Sequence, residues 1–576
     1  VKNKELAEKL NRVAEYLEMG DVDYKPFAYR RAASSILELE ESVEEIYDKE
    51  GRKGLEEISG VGKNIADKLE EYILTGEIEH LKTLREKFPV DLKNMLRVEG
   101  LGPKSVKKLY ENLGVENLED LKIAASEGRV AEVEGLGEKT EKNILEAIEF
   151  LKKDEGKWAL GEVLPVAREI YKRLKSLKEV KRISFAGSLR RKKELVGDVD
   201  LLVSASKTEK IMKSFTSFPN VEKVLGEGET KSSIRLREGF DADLRIVGEK
   251  SFGSALQYFT GSKNHNIKIR KIAKSKGLKL NEYGLFDKKK KIAGRTEKEV
   301  YSKLGLTLIP PELREDRGEV EKAQKGEDFS DLCKLEDLKG DLHIHTDWTG
   351  GANSLKEMVS AARERGYAWV GIADHTEFLR IENGLSEKEL SKQRKEIEKL
   401  NSKFEAQNSD FYVMQGCEAN ILRDGSLDIS DKGLKKLDYV IAGMHSGFKM
   451  GRIEMTERLI KAMRHPEVDI ISHPTGRLIK KRDSLNLDME KIFKVAEEEN
   501  VFLEINSSPA RLDLKDADIK KCVERGIKLA INSDSHHLNQ LENVEFGVGQ
   551  ARRGWAKSTD IINTLSKEDF LSLINN

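Results

Sequence analysis

At 576 residues the chain has room for several domains, each with its own core. Charged residues make up 36% and the formal net charge is −1, yet residues 251–300 hold 13 basic and 4 acidic residues, the footprint of a phosphate-backbone partner. Cys333, Cys417 and Cys522 are isolated and no apolar run reaches membrane-span length, which excludes a disulfide framework, a cysteine zinc ribbon and a spanning helix. The first residues read as a charged amphipathic helix rather than a signal peptide, so a reducing, cytoplasmic setting is expected.

Residues 1–83 read as helical, with Leu6, Leu10, Val13 and Leu17 at helical spacing. A repeat follows: ISGVGKNIADKLEEY from Ile58, VEGLGPKSVKKLYENLG from Val98 and VEGLGEKTEKNILEAI from Val133. Each copy has a hydrophobic-x-Gly-hydrophobic-Gly turn before a helix, with glycine pairs Gly60/Gly62, Gly100/Gly102 and Gly135/Gly137. Such glycines permit a tight turn, and the free N–H groups at the next helix start can hold a DNA phosphate without reading sequence. Three copies make a helix–hairpin–helix array that spans 84–150 as well as the first segment; Glu138 weakens the third copy for an anion.

Residues 151–250 alternate helix and strand. In ISFAGSLRRKKELVGDVDLLV, from Ile183, Asp198 and Asp200 are two apart and share one face of a strand. Paired carboxylates repel unless a cation sits between them, so a divalent-metal site is expected, with Asp243 of DADLR as a third acid. Gly187 and Ser188 suit a phosphate, and Arg190 and Arg191 add charge for the same anion. Metal-binding carboxylates beside a phosphate cradle are the parts of nucleotidyl transfer.

Residues 251–310 carry the basic strip and the run YFTGS. Residues 311–338 are polar and charged and read as a linker. From 339 to 576, seven strand-like runs end in polar residues and alternate with helices, which predicts a distorted (βα)7 barrel with chemistry at the strand ends. His343, His345, Asp374, His375, Glu418, His445, His473, Asp534 and His536 sit there; six of the ten histidines at strand ends beside carboxylates point to metal ligation.

Together these motifs resemble the family X DNA polymerases of bacteria and archaea, in which a nucleotidyltransferase palm with fingers is followed by a PHP (polymerase and histidinol phosphatase) domain. The resemblance extends to GQARRGW from Gly549. It implies that Asp198, Asp200 and Asp243 bridge two Mg2+ or Mn2+ ions about 3.5–4 Å apart. It implies nucleotide contacts for Gly187, Ser188, Arg191, Gly197, Tyr258, Phe259 and Gly261. It sets Asn266 at the minor-groove edge of the new base pair and Arg270 on the template strand. It matches Lys68 to the Schiff-base lysine of a 5′-deoxyribose-phosphate lyase, with Lys25 and Tyr29 as its phosphate-binding and positioning partners. In the barrel it assigns His343, His345, Glu418 and Asp534 to one ion, Glu418, His445 and His473 to a second, and His375 and His536 to a third, with Mn2+, Zn2+ or Fe2+ as the ions. The family's ligating aspartate five residues after the second histidine is Gly350 here, so the third ion is expected to bind weakly or not at all.

The implied activity is short-gap filling in DNA repair on gapped or nicked duplexes with deoxynucleoside triphosphates, by a monomer. The barrel would process DNA ends as a 3′–5′ exonuclease, 3′-phosphatase or abasic-site endonuclease. The rival readings are a template-independent nucleotidyltransferase, a structural DNA-end-binding protein with vestigial catalysis, and a small-molecule phosphatase in the barrel. The hairpins, the palm acids and the fusion itself argue against them in turn.

Overall fold

The structure is a computed structural model and describes residues 3–39, 41–98, 101–153, 156–379 and 383–574. It divides into two compact units, one of residues 1–155 with Lys480–Arg482, the other of residues 156–479 and 483–576. Among the described residues no helix is long and apolar enough to cross a membrane.

The first unit is helical. Helix α1 (Asn3–Met19) buries Leu6, Leu10, Val13 and Leu17, the face that their spacing predicts, and packs on α2 (Lys25–Glu38). The repeat is visible in the backbone. Val61 donates its N–H to Ile58, Leu101 to Val98 and Leu136 to Val133, and all six side chains are buried. After each turn a helix begins: α3 (Lys63–Thr75), α4 (Pro103–Leu113) and α5 (Glu138–Lys153). Gly60 and Gly135 have φ of 77° and 83°, in the left-handed region that favours glycine. Gly100 lies outside the described residues.

The second unit contains a five-stranded mixed sheet. Its strands are β1 (Arg182–Phe185), β2 (Asp198–Ser204), β3 (Val221–Glu227), β4 (Lys231–Leu236) and β5 (Asp241–Val247), in the order β1-β2-β5-β4-β3. Only β2 and β5 run parallel. Val199, Leu201, Val203, Ala242, Leu244 and Ile246 form one buried face. The aspartates alternate onto the other.

Helix α6 (Gly187–Arg190) lies between β1 and β2; α7 (Phe252–Thr260) and α8 (Lys263–Ser275) follow the sheet, then a three-stranded antiparallel sheet. Residues 311–338 are not a linker of solvated chain. Leu313, Val320, Ala323, Phe329 and Leu332 join the same core as Ile269, Leu285 and Tyr301. Arg314 is fully buried and ion-pairs with Glu297 at 2.6 Å. A charged composition hides this apolar stripe.

The strands from Gly340 onward are parallel and sequential. They are β6 (Gly340–Ile344), β7 (Trp369–Ile372), β8 (Tyr412–Gln415), β9 (Glu418–Asn420), β10 (Ile441–Gly443), β11 (Ile470–Ile471), β12 (Phe502–Asn506) and β13 (Leu529–Asn532). β8 and β9 are one run broken at Gly416–Cys417, which accounts for the seven predicted from sequence. Bridges His375–Glu418 and Ile344–Ser535 link β7 to β9 and the last strand back to the first, closing a distorted barrel. The strands are buried on both faces, as parallel strands wrapped by helices must be.

Candidate active sites

In the sheet of the second unit, the parallel register of β2 and β5 pairs Asp198 with Asp241 and Asp200 with Asp243. Asp198, Asp200 and Asp243 therefore share one face at the strand starts. Burial, and then the charges of Asp198 and Asp243, push the Asp200 carboxyl up to about 7. A divalent cation relieves that cost, so the three acids fit one. Lys231, which the sequence does not single out, reaches to 3.4 Å from Asp243.

Gly187 has φ 59°, and a Cβ there would lie 2.1 Å from an Asp200 carboxylate oxygen. The short helix α6 thus begins directly against the acids. Ser188 is in its first turn, and Gly197, with open space around it, precedes Asp198. The two arginines differ. Arg190 is held by a bidentate pair with Glu297 (2.9 and 2.7 Å) and by Thr260 (2.6 Å), so it ties α6 to its neighbours and is not free for an anion. Arg191 donates to the Thr260 carbonyl and to Glu315 at 3.0 Å, and lies close enough to Asp200 to lower its pKa.

Tyr258 and Phe259 end α7, edge to face at 5.2 Å, and Arg245 stacks on Phe259 at 4.5 Å. Gly261 turns the chain with φ 70°. Asn266 is used internally: it donates to the Tyr258 carbonyl (2.7 Å) and accepts from Gln257 (2.7 Å). Its role here is to hold the Tyr258–Gly261 turn, and contact with a base pair requires those bonds to be exchanged. Arg270 is exposed.

The barrel centre is built on Glu418. One of its oxygens lies 3.2 Å from His445 and 3.0 Å from His473; the other lies 3.4 Å from His343, 3.7 Å from His345 and 3.0 Å from His375. Asp534 lies 3.3 Å from His345 and 3.6 Å from His343. Three sets bring ligand atoms within 4.8 Å of one another: His343/His345/Asp534, His375/Glu418/His445 and His345/His375/His536. Buried ring nitrogens of His343, His345, His375 and His473 have no hydrogen-bond partner. Orphaned imidazoles around carboxylates fit divalent ions. Burial alone would raise Glu418 and Asp534, but the imidazoles hold both well below the usual carboxylate range. His473 (φ 28°) and Asp534 (φ 54°) occupy the left-handed region, strain of the kind stored at functional sites.

Supporting residues fix these side chains. Glu504 accepts from His343 Nδ1 at 2.7 Å and from Asn532 and Asn506, leaving His343 Nε2 to face the cluster. Asn420 holds His445 Nδ1 at 2.7 Å. Arg511 stands 3.8 Å from Asp534. The sequence gives no direct signal for these, except that a glutamate inside the buried run FLEIN demands a partner. Asp374 accepts from Thr346, Thr349 and Gln393 and pins the loop after His345. Asp347 and Gly350 lie exposed on that loop.

In the first unit, Lys68 donates to Asn64 Oδ1 (2.6 Å), which Tyr29 also approaches at 3.5 Å, and its ammonium lies 6.0 Å from the Tyr29 ring. Burial lowers the Lys68 pKa, and nearby Lys25 lowers it further against Asp67 and Glu71. His80, unremarked in the sequence, is lowered by burial and by the same two lysines. Gly62 and Gly102 directly precede α3 and α4, and Gly137 precedes α5.

Fold and sites define a metalloenzyme of phosphate chemistry with two centres, one in a mixed sheet and one in a barrel, preceded by DNA-binding hairpins. Family models agree in order along the chain: a helix-hairpin-helix domain at residues 1–78, a SAM-like helix-hairpin-helix tandem at 92–149, a DNA polymerase beta thumb at 255–315 and a PHP domain at 341–508. The chain is 37% identical over 571 residues to the DNA polymerase/3'-5' exonuclease PolX of Bacillus subtilis, covering 98% of each. It is also 31% identical over 214 residues to a probable phosphatase of Caldicellulosiruptor saccharolyticus (35% of this chain, 82% of the relative). A probable phosphatase of Clostridium acetobutylicum is 30% identical over 206 residues (34% and 78%). The chain belongs to the family X DNA polymerases that carry a PHP domain.

Proposed function

We propose that this chain is a DNA-directed DNA polymerase that fills short gaps in DNA, with a barrel that hydrolyses phosphoesters at DNA 3′ ends. The single observation that carries the reading is the in-register pair Asp200–Asp243 on parallel strands, with Asp198 on the same face and Gly187 packed against Asp200. Asp198, Asp200 and Asp243 would hold Mg2+ or Mn2+, and the barrel cluster Mn2+, Zn2+ or Fe2+. When bound, such ions neutralise phosphate charge and activate the attacking oxygen.

The chain's own residues do the placing. Gly187 and Ser188 present backbone N–H groups to the triphosphate, and Arg191 adds charge. Tyr258, Phe259 and Gly261 line the sugar. The hairpin glycines Gly60, Gly62, Gly100, Gly102, Gly135 and Gly137, with Arg270, take the duplex backbone, which suits a gapped or nicked substrate. The primer 3′-hydroxyl attacks the α-phosphorus in line, and pyrophosphate leaves. In the barrel, Glu418 presents an oxygen to each of two groups of histidines, which supports a bridging role. His345, His375 and His536 form a set without a carboxylate, which supports the weakest binding there. Metal analysis after dialysis should return two retained ions and a third lost; three equally retained ions would refute this.

Lys68, with Tyr29, Lys25 and His80 around it, favours a second activity, removal of a 5′-deoxyribose phosphate through a Schiff base. The chain is expected to act as a monomer in the cytoplasm.

The test is extension of a one-nucleotide gapped duplex with a 5′-phosphate, the primer end followed over time. Incorporation directed by the template base, abolished in Asp198→Ala and Asp243→Ala with DNA binding retained, is expected. Incorporation that ignores the template, or persists in Asp198→Ala, would overturn the polymerase assignment.

A further inference from the structure

The run GQARRGW, at the far end of the chain, forms the end of helix α9 (Val544–Arg553) and the turn after it. This helix of the barrel domain lies against the turn that follows α6 in the polymerase sheet. Three contacts fix that turn. Arg553 donates to the Arg191 carbonyl at 2.8 Å, and Gln550 donates to the Lys192 carbonyl at 3.2 Å. Gly549 presents its bare backbone to Lys192, whose Cβ would lie 3.3 Å from any Cβ placed there. Lys192 itself has φ 54°, a conformation that a lysine holds only when its surroundings impose it.

The same guanidinium reaches the arginine side chain. Arg553 donates to Glu315 at 3.0 Å, and Arg191 Nε donates to the same Glu315 oxygen at 3.0 Å. Asp516 holds Arg553 from the other side at 2.6 Å. Arg553 is buried, so this chain of charges is shielded from water and its geometry is sharply defined. Two backbone carbonyls and one carboxylate that shape the Arg191 site are thus partnered by a helix from the other catalytic domain.

We propose that Arg553, with Gln550, is a positioning residue for nucleotidyl transfer: helix α9 of the barrel domain sets the Gly187–Lys192 turn and aims Arg191 at the incoming triphosphate. This rests on the polymerase reading above. Its consequence is that nucleotide affinity depends on residues that touch neither nucleotide nor DNA. Arg553 is not part of the barrel's own chemistry, so hydrolysis at that centre is expected to be indifferent to it.

The test uses the full chain on the one-nucleotide gapped duplex, with 3′-end hydrolysis and thermal melting measured on the same preparations. Gln550→Ala and Arg553→Lys should raise the KM for the deoxynucleoside triphosphate, with kcat within about twofold and 3′ hydrolysis unchanged. Glu315→Gln combined with Arg553→Met, which removes both charges at once, should raise KM by about tenfold or more. An unchanged KM in all variants, while the unsubstituted chain incorporates normally, would overturn the proposal. So would parallel loss of both activities with a lowered melting temperature, the mark of a merely structural residue. Should the double variant fail to fold, the KM and hydrolysis rates of the two single variants decide between the same outcomes. Failure of the unsubstituted chain to incorporate at all would instead strike the polymerase reading.

Discussion

Gly187 and Asp200 are so close that the smallest possible side chain at residue 187 would collide with the carboxylate: a Cβ would sit 2.1 Å from its oxygen. The glycine's φ of 59° adds a backbone reason for its identity. Gly187→Ala must therefore displace either the turn that begins at residue 187 or Asp200. Incorporation should fall by about 100-fold, since displacements of an ångström at a reacting centre cost that much. Barrel-dependent 3′ hydrolysis should be unaffected. Incorporation within a few-fold of the unsubstituted chain would show that the turn does not bear on the reaction.

Lys68→Ala should abolish borohydride trapping of the protein on a 5′-deoxyribose phosphate. A lysine whose pKa is lowered by burial and by Lys25 keeps more neutral amine near neutral pH, as a Schiff base requires. Undiminished trapping would move the nucleophile to another amine.

Glu504→Gln tests how the barrel cluster is tuned. Glu504 accepts from His343 Nδ1, which leaves Nε2 to face Glu418 and Asp534. A glutamine can present N–H to Nδ1 instead and favour the wrong tautomer. Metal affinity should fall by about 10–100-fold, with 3′ hydrolysis falling alongside and gap filling spared. Equal affinity by calorimetric titration would show that Glu504 does not tune the cluster.

Glu297 concerns stability. It lies between Arg190 and Arg314, and although burial opposes it, those guanidinium groups hold its carboxyl down to about 2 from the ordinary 4.5. A depressed carboxylate contributes stability that is present above the unfolded value and lost as pH falls through the folded one. That contribution is about 3 kcal/mol. Glu297→Gln should lower unfolding free energy near neutral pH, and the gap from the unsubstituted chain should narrow as pH drops below about 4.5. A gap that does not change with pH would contradict it.

Local spacing made much of the chemistry legible. Asp198 and Asp200 two apart, the hairpin glycines and the strand-end histidines are patterns within a few residues, and each reflects a periodicity that the fold obeys. What the sequence hides is partnership across hundreds of residues. Arg190 next to Arg191 reads as a second anion ligand until Glu297 is brought beside it. Nothing near Asn266 in the sequence tells that Gln257 and the Tyr258 carbonyl close on its amide. Residues 311–338 read as linker because charges outnumber the few apolar side chains that dock. Glu504 and Glu315 each hold a neighbouring side chain, and no motif marks them.

Leu512 and Phe546, both from the barrel domain, are buried in the same cluster as Val199, Leu201 and Leu244 of the polymerase sheet. During synthesis those two residues leave the ribosome long after the sheet they complete. The sheet must therefore wait, its apolar surface unfinished, until Phe546 has been made. A nascent chain that stops before Leu512 carries Asp198, Asp200 and Asp243 and still lacks part of the core beneath them.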